Sequence, residues 1–171
     1  MNPNQFSDEE IAAVYKAISE RRDMRHFLST PLADGQLERL IRAAHMAPSV
    51  GLMQPWRFIR ISDAGLRQTI QQHVEEERIA TADALEQRSD EFMRLKVEGI
   101  LSCAEVLVVG LTDQREKYIF GRRTMPEMDL ASVSCAIQNM WLAARAEGIG
   151  LGWVSLFDPE ILRTLCGMPE G

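Results

Sequence analysis

The sequence predicts a single α+β domain, residues 1–171, in which a small sheet is flanked by helices. Segments with the 3.6-residue apolar period of a helix are interspersed with short apolar runs of strand length. The chain of 171 residues has the length of one domain. Its 46% apolar and 26% charged residues are the proportions of a globular protein that buries a core.

Two helices are predicted before the first strand. Ser7 and Glu10 form a capping box, and apolar residues then recur at helical spacing at Ile11, Val14, Tyr15 and Ile18. This helix should end near Arg21 or Arg22. After Pro31, Asp34 is expected to cap a second helix that Pro48 terminates, with an apolar face of Leu37, Leu40, Ile41 and Ala44.

The middle of the chain predicts two strands separated by helix. Trp56 to Ile61 has the composition of a short strand. The stretch from Leu66 to about Lys96 lacks proline and is rich in helix formers, which predicts one long helix or two broken ones. Glu105 to Leu111 is apolar at consecutive positions, so we expect a strand covered on both faces. The linker that follows, rich in Arg and Lys up to Pro126, has a composition that permits mobility.

A wide-faced helix, a third strand and a short helix are predicted to complete the chain. Met128 to Glu147 is apolar around more than one stripe, so we expect it to be buried and to contribute to a subunit contact. Ile149 to Leu156 is predicted as a strand, and Asp158 to begin a last helix that Gly167 ends. Three strands make a small sheet for this length, so we expect a C-terminal strand to be missing and the domain to be C-terminally incomplete.

Charge, cysteine and histidine usage narrow the function classes. The formal net charge of −6 argues against binding nucleic acid or an anionic membrane through overall charge. No signal peptide begins the sequence, and no apolar run approaches the roughly 20 residues of a membrane-spanning helix. The three cysteines are dispersed, and His26, His45 and His73 lack metal-ligand spacing, so we expect no metal site and take these histidines for surface or loop residues. These features predict a cytoplasmic protein.

An arginine cluster and a kinked loop carry the strongest sign of a ligand. Arg21, Arg22 and Arg25 lie where the first helix should end, and forked guanidinium groups suit phosphate oxygens. The alternative is that they only complement the negative end of the helix dipole. Ser49, Gln54 and Trp56 place a hydroxyl, an amide and an indole in or beside a proline-containing loop, a set that can edge a flat heteroaromatic ring.

Three strings of sequence resemble the nitroreductase superfamily in the same order. They are RRDMRHF, AAHMAPSVGLMQPWRF and PEMDLASVSCAIQNMWLAARAEGIGLGWVSLF, and they are most similar to the BluB branch, the 5,6-dimethylbenzimidazole synthases. General nitroreductases begin with Arg-Arg-Ser at the place of Arg21-Arg22-Asp23, and they carry an Asn in the loop where this chain has residues 50–53. Both departures favour the BluB branch.

The resemblance implies a nitroreductase-like α+β fold, with a central mixed or antiparallel sheet, an intertwined homodimer and FMN bound between the subunits. Arg21, Arg22 and Arg25 would hold the phosphate and ribityl tail, with Asp23 and Met24 alongside. Ser49 and Gln54 would bond the ring edge or tail, and the ring would lie against Gly152, Trp153, Val154 and Ser155. Leu95 and Lys96 either reach the cofactor or are solvated helix residues.

The reaction implied by the resemblance consumes its cofactor. Reduced FMN (FMNH2) and molecular oxygen would give 5,6-dimethylbenzimidazole, the lower ligand of cobalamin, and erythrose 4-phosphate. NAD(P)H, or a separate flavin reductase, would supply the reduced flavin. Two other functions stay open: an FMN-dependent NAD(P)H nitroreductase, flavin reductase or cobyrinate reductase, and a non-catalytic flavin-binding dimer module.

Asp23 and Ser155 are the expected catalytic pair. Positive charge beside Asp23 keeps a carboxylate ionised and ready to accept a proton. Ser155, at the end of an apolar strand, would present its hydroxyl to the N5 region of the ring. The alternative is structural: Asp23 pairs with Arg22 or Arg25, and Ser155 caps the helix that begins after Asp158.

Overall fold

Helices and a two-stranded sheet make up the computed structural model, which describes residues 4–85, 92–93 and 99–169. Its elements in chain order are α1 (Asp8–Glu20), α2 (Gln36–His45), β1 (Trp56–Arg60), α3 (Ala64–Ala84), α4 (Gly99–Ser102), β2 (Leu107–Leu111), α5 (Met128–Ala146) and α6 (Pro159–Leu165). Short 3₁₀ turns cover Val50–Leu52 and Arg115–Lys117. The predicted α+β class is confirmed.

Local capping chemistry sets the start of two helices as predicted, and a third helix lies where it was predicted. At α1 the Ser7 hydroxyl accepts the Glu10 N–H, and the Glu10 carboxylate accepts the Ser7 N–H in return. At α6 the Asp158 carboxylate accepts two backbone N–H groups of the first turn. The predicted Met128–Glu147 helix is present as α5, whose last helical residue is Ala146.

The predicted cap of α2 is wrong. Gly35, not Asp34, precedes the helix, and its backbone is left-handed with φ of 75°. The Gln36 side chain turns back to accept the Ala33 N–H at 2.6 Å. A left-handed turn favours glycine because it has no Cβ, and that turn displaces the aspartate from the capping position.

The two strands pair antiparallel, with Trp56 opposite Leu111 and Arg60 opposite Leu107. Alternate residues of the sheet pack into two different clusters. Phe58 and Val109 lie against the first, formed mainly by α2 and α5, while Ile59 and Val108 lie against the second, which includes residues of α3, α4 and α6. Coverage of β2 on both faces is therefore confirmed, although each of its residues is only half-buried.

The wide apolar face of α5 is used largely within the protomer. Its buried apolar residues are Val133, Ala136, Met140, Trp141 and Ala144. All but Trp141 belong to the first core cluster, which also includes Leu40 and Ala44 of α2. The breadth that predicted a subunit contact is thus explained mostly by packing inside one chain, whereas Leu130 remains 62% exposed.

The third predicted strand, Ile149 to Leu156, is wrong. This stretch forms one isolated parallel bridge, between Asp23 and Leu151, and no ladder within the described residues. A run of apolar residues becomes a strand only where a neighbouring backbone supplies successive hydrogen bonds. Its apolar residues instead pack successively into the two clusters, Ile149 and Leu151 into the first and Leu156 into the second.

Two further expectations concern the α3 region. His73, taken from sequence for a surface or loop residue, is buried on α3, and its Nε2 accepts the Asp158 N–H at 2.8 Å. The predicted Leu66–Lys96 helix corresponds to α3 in its first part, and residues 86–91 and 94–96 of that prediction lie outside the described residues. No helix in the described part of the chain is long and apolar enough to cross a membrane.

Candidate active site

The arginine-rich segment after α1 lies beside the segment after α5. The Met24 N–H donates to the Leu151 carbonyl at 3.0 Å, and Asp23 pairs with Leu151 in the parallel bridge. The segment 21–25 and the segment 151–153 are therefore brought together, although they are far apart in the sequence.

Asp23 joins these two segments through both carboxylate oxygens. Oδ1 accepts the Trp153 N–H at 2.9 Å, and Oδ2 forms an ion pair with Arg25. Arg25 also reaches the Trp153 carbonyl at 3.4 Å. The pairing of Asp23 with Arg25, one of the alternatives from the sequence, is thus present. It holds the carboxylate against the backbone of Trp153.

Glycine at position 152 is required by this close approach. A Cβ on Gly152 would lie 2.3 Å from the Met24 carbonyl oxygen, which no side chain can tolerate. A Cβ on Gly150 would lie 3.1 Å from Met24 Cγ. The two glycines therefore allow the two backbones to touch beside the arginine cluster.

Trp141 of α5 contacts two residues of the arginine cluster. The Arg21 guanidinium lies 4.6 Å from the centre of its ring, and its indole N–H donates to the Arg22 carbonyl at 3.2 Å. The ring of Trp153 lies 6.3 Å away, tilted against it. From sequence, Trp141 was only one apolar residue of a helix, because its spacing reveals burial and not which cation lies on it.

Two arginines of the cluster have no carboxylate partner among the described residues. Arg22 Nη1 donates to the Ser19 and Arg21 carbonyls at 2.7 and 2.8 Å. Among the described residues, neither Arg21 nor Arg22 forms an ion pair with a carboxylate, whereas Arg25 does. Two uncompensated guanidinium groups beside an exposed segment suit the charge of a phosphate.

Ser49 and Gln54 form a second group of candidate residues. The Ser49 hydroxyl accepts the Gln54 N–H at 2.9 Å, and the Gln54 amide donates to the His45 carbonyl at 3.4 Å. Gln54 has a left-handed backbone, with φ of 49°. The Val50 N–H donates to Ser132 of α5 at 3.0 Å, which fixes this loop to the first turns of that helix.

The two groups of candidate residues are anchored at different points of α5. The loop carrying Ser49 and Gln54 is anchored at Ser132 of α5, and the arginine segment at Trp141. These anchors are separated by nine residues of one helix, or roughly 14 Å along its axis.

Of the remaining candidate residues, one is exposed, one packs against the second core cluster and two lie outside the described residues. Ser155 is exposed, and within the described part of the chain its hydroxyl makes no hydrogen bond. It therefore does not cap α6, whose cap is the Asp158 carboxylate. Val154 is half-buried against the second core cluster. Leu95 and Lys96 lie outside the described residues.

The sequence and the fold of the chain are both similar to those of known proteins. Residues 18–171 match the nitroreductase family. The 5,6-dimethylbenzimidazole synthase of Rhodospirillum rubrum is 40% identical over 151 residues, which cover 87% of this chain and 72% of that protein. A protein of the same name from Rhodobacter capsulatus is 35% identical over 166 residues, covering 96% and 80% of the two chains.

Solved structures show the same fold at lower sequence identity. Iodotyrosine deiodinase, in a structure bound to FMN and 3-iodo-L-tyrosine, superimposes with a TM-score of 0.71 at 22% identity. The superposition covers 91% of this chain and 82% of the deiodinase chain. Nitroreductase A from Vibrio parahaemolyticus superimposes with a TM-score of 0.69 at 20% identity, over 92% of this chain. This chain spans 62% of that larger protein.

Proposed function

The chain belongs to the nitroreductase family, and we propose that it is a 5,6-dimethylbenzimidazole synthase, an oxidoreductase that fragments reduced FMN with molecular oxygen. The observation that carries this proposal is the 40% identity to the R. rubrum synthase over 87% of the chain. The segments Arg21–Arg25 and Gly152–Ser155 both lie within residues 18–171, which match the family.

The residues present fit the chemistry of FMN. Arg21 and Arg22 offer two guanidinium groups without carboxylate partners in the described part of the chain, which suits a phosphate. Gly152 and Trp153 offer a flat, closely packed backbone beside an exposed indole. In the proposed site Arg21, Arg22 and Arg25 hold the phosphate and tail, Met24 lies alongside, and Gly152 to Ser155 face the ring.

The chain's own groups would act by holding the ring, excluding water and moving protons. Bound reduced FMN supplies the isoalloxazine ring, whose reaction with oxygen yields 5,6-dimethylbenzimidazole. Asp23, which is ion-paired with Arg25, is the proposed proton acceptor. Its other oxygen accepts the Trp153 N–H and so holds the backbone that faces the ring. The hydroxyl of Ser155, which makes no hydrogen bond within the described residues, is proposed to interact with the flavin ring near N5.

Two subunits are proposed to complete each site. Ser49 and Gln54 are candidate contacts to the ring edge or tail, yet their anchor on α5 lies roughly 14 Å from that of the arginine segment. A homodimer in which each flavin meets the arginine segment of one subunit and the Ser49–Gln54 loop of the other fits this separation. The described surface also exposes apolar side chains of α1, namely Val14, Tyr15 and Ile18.

Reduced flavin must reach this site from an electron donor. NAD(P)H, either acting at this site or through a separate flavin reductase, is the proposed source. Adding chemically reduced FMN separates the fragmentation step from this supply.

Product analysis tests the proposal. Protein mixed anaerobically with FMNH2 and then exposed to oxygen should yield 5,6-dimethylbenzimidazole, identified by chromatography and mass spectrometry. Oxidised FMN as the sole product, with nitro compounds or cobyrinate reduced when NAD(P)H is added, would instead identify a reductase. Flavin bound without either reaction would identify a non-catalytic binding module.

A further inference from the structure

A buried acidic residue at the start of α5 lies outside the proposed flavin contacts. Asp129 is 4% exposed, and its Oδ2 accepts hydrogen bonds from Arg115 Nε at 3.1 Å and Arg122 Nε at 2.7 Å. Both arginines belong to the linker between β2 and α5, and their side chains are 16% and 15% exposed. We call these three residues the clasp. Removing the Asp129 carboxylate would leave Arg115 without its carboxylate partner and Arg122 with only Glu116, at 3.7 Å.

The linker that the clasp holds is interlocked with the loop carrying Ser49 and Gln54. A Cβ on Gly51 would lie 2.9 Å from the Phe120 carbonyl oxygen, and a Cβ on Gly121 would lie 2.7 Å from Val50 Cγ2. Both glycines have positive φ, of 53° and 73°. Two glycines at left-handed positions thus let the two loops touch directly, and Gly121 immediately precedes Arg122 of the clasp.

The same loop is fastened to the helix turn that carries Asp129. The Val50 N–H donates to the Ser132 hydroxyl at 3.0 Å, and that hydroxyl donates to the Met128 carbonyl at 2.6 Å. The loop is therefore fixed from two sides, by α5 directly and by the linker through the clasp. The composition of the linker permits mobility, but in the structure a buried, ion-paired carboxylate holds the linker in place.

We propose that Asp129 is a positioning residue, which acts through Arg122 and the linker to hold the Ser49–Gln54 loop in place for the flavin. This inference rests on the proposed function, because it takes the loop to contact the flavin ring or ribityl tail. Both FMN and riboflavin carry these parts. Loss of positioning should therefore weaken the binding of both flavins alike, whereas loss of a phosphate ligand should weaken that of FMN alone.

Asp129→Asn tests the inference because it keeps the shape of the side chain and removes its charge. The matched control is Asp63→Asn, which alters an exposed helix cap outside the clasp, whose carboxylate accepts the Leu66 N–H at 2.7 Å. Binding of FMN and of riboflavin to Asp129→Asn should each weaken on the order of tenfold. The control should bind both flavins as the parent does.

Limited trypsin digestion supplies a readout that does not depend on flavin. Lys117 and Arg123 are exposed residues of the linker, and cleavage after them should accelerate on the order of tenfold in Asp129→Asn but not in the control. Unchanged cleavage, or equal losses of flavin binding in both variants, would overturn the inference. If Asp129→Asn does not fold, Arg122→Gln takes its place and should weaken the binding of both flavins and accelerate cleavage of the linker. Flavin binding and cleavage equal to those of the parent would then overturn the inference.

The two proposals can fail separately. A parent protein that binds FMN but forms no dimethylbenzimidazole would refute the synthase reaction and leave the clasp standing. A parent that binds no flavin would refute both proposals. A parent that forms the product, with an Asp129→Asn variant equal to it in binding and cleavage, would refute the clasp alone.

Discussion

Among single residues, the arginines of the cluster differ in what they already bind. Arg25 is committed to Asp23 and to the Trp153 carbonyl. Arg21 lies on the Trp141 ring and Arg22 donates to two backbone carbonyls, so neither cation is neutralised by a carboxylate in the described part of the chain. Arg21 and Arg22 are therefore the residues best suited to recognise a phosphate, whereas Arg25 also organises the backbone beside it.

Replacing Arg22 with Ala should weaken FMN binding and spare riboflavin binding. Losing one charged hydrogen bond to the phosphate costs about 1.5–3 kcal/mol, and riboflavin has no phosphate to lose. Fluorescence titration with the two flavins measures the difference. Arg25→Ala is the matched comparison, and it should weaken both flavins because Asp23 loses its partner. Equal losses for both flavins in Arg22→Ala would mean that this arginine supports the fold.

Asp23→Asn and Ser155→Ala should uncouple flavin oxidation from flavin fragmentation. An asparagine keeps an oxygen that can accept the Trp153 N–H but removes the proton-accepting carboxylate. Positioned acid and base groups contribute ~10²–10⁴-fold to the step they serve, so dimethylbenzimidazole formation should fall by that order. Both variants should still bind FMNH2, consume oxygen and release oxidised FMN. Undiminished product from either variant would remove that residue from the mechanism.

Residue types and spacing identified the cluster and offered Arg25 as a partner of Asp23, but they did not reveal the contacts of the cluster with distant segments. The motif RRDMR predicted a phosphate site, because the arginines that suggest one lie within five consecutive residues. Trp141 and the clasp went unnoticed because their roles depend on contacts between distant segments, such as Trp141 with Arg21 and Asp129 with Arg115 and Arg122. No local pattern encodes such a pairing.

Among the secondary-structure elements, those defined by their own sequence were predictable and those defined by a neighbour were not. The capping box of α1 and the Asp158 cap of α6 satisfy backbone groups within one turn, so they can be read directly. The predicted strand at Ile149 to Leu156 fails because a strand needs a partner ladder, and the described chain offers it one bridge. The expected Asp34 cap fails because a left-handed Gly35 takes its place.

His73→Ala should destabilise the packing of α6 against α3. The imidazole Nε2 accepts the Asp158 N–H, and the alanine variant leaves that donor unsatisfied and opens space in the second core region. An unsatisfied buried group costs about 1–3 kcal/mol in the free energy of unfolding, which urea titration followed by circular dichroism measures.

The control for this change is His26→Ala, since His26 is exposed in a loop. Its effect on the free energy of unfolding should stay within about 0.5 kcal/mol. If His73→Ala were as stable as the control, the Asp158 contact would contribute nothing to the stability of the helix pair.

For the whole molecule, one protomer exposes apolar surface, and its two groups of candidate residues are anchored at different points of α5. Val14, Tyr15 and Ile18 of α1 are 48%, 68% and 49% exposed. We expect a stable homodimer whose interface exceeds about 2,000 Å² in total, as obligate interfaces commonly do. Sedimentation equilibrium at micromolar concentration should give twice the mass of one chain. A well-folded monomer under those conditions would contradict this expectation.

Subunit mixing tests whether each flavin site of the dimer contains residues of both subunits. Arg22→Ala and Gln54→Ala homodimers should each be impaired in both of their sites. If each flavin meets residues of both subunits, a heterodimer of the two variants carries one site with both changes and one intact site. Mixing and re-equilibrating the variants should then restore activity. Activity that stays at the level of the separate variants would place each site within one subunit.

The fate of the flavin itself tests the central claim most directly. With FMNH2 supplied in equal amount to protein subunits and oxygen then admitted, the total flavin recovered after denaturation can be compared with the dimethylbenzimidazole formed. A synthase consumes its flavin, so flavin should disappear as one equivalent of dimethylbenzimidazole appears. Complete recovery of the flavin as oxidised FMN, with no dimethylbenzimidazole, would contradict the account.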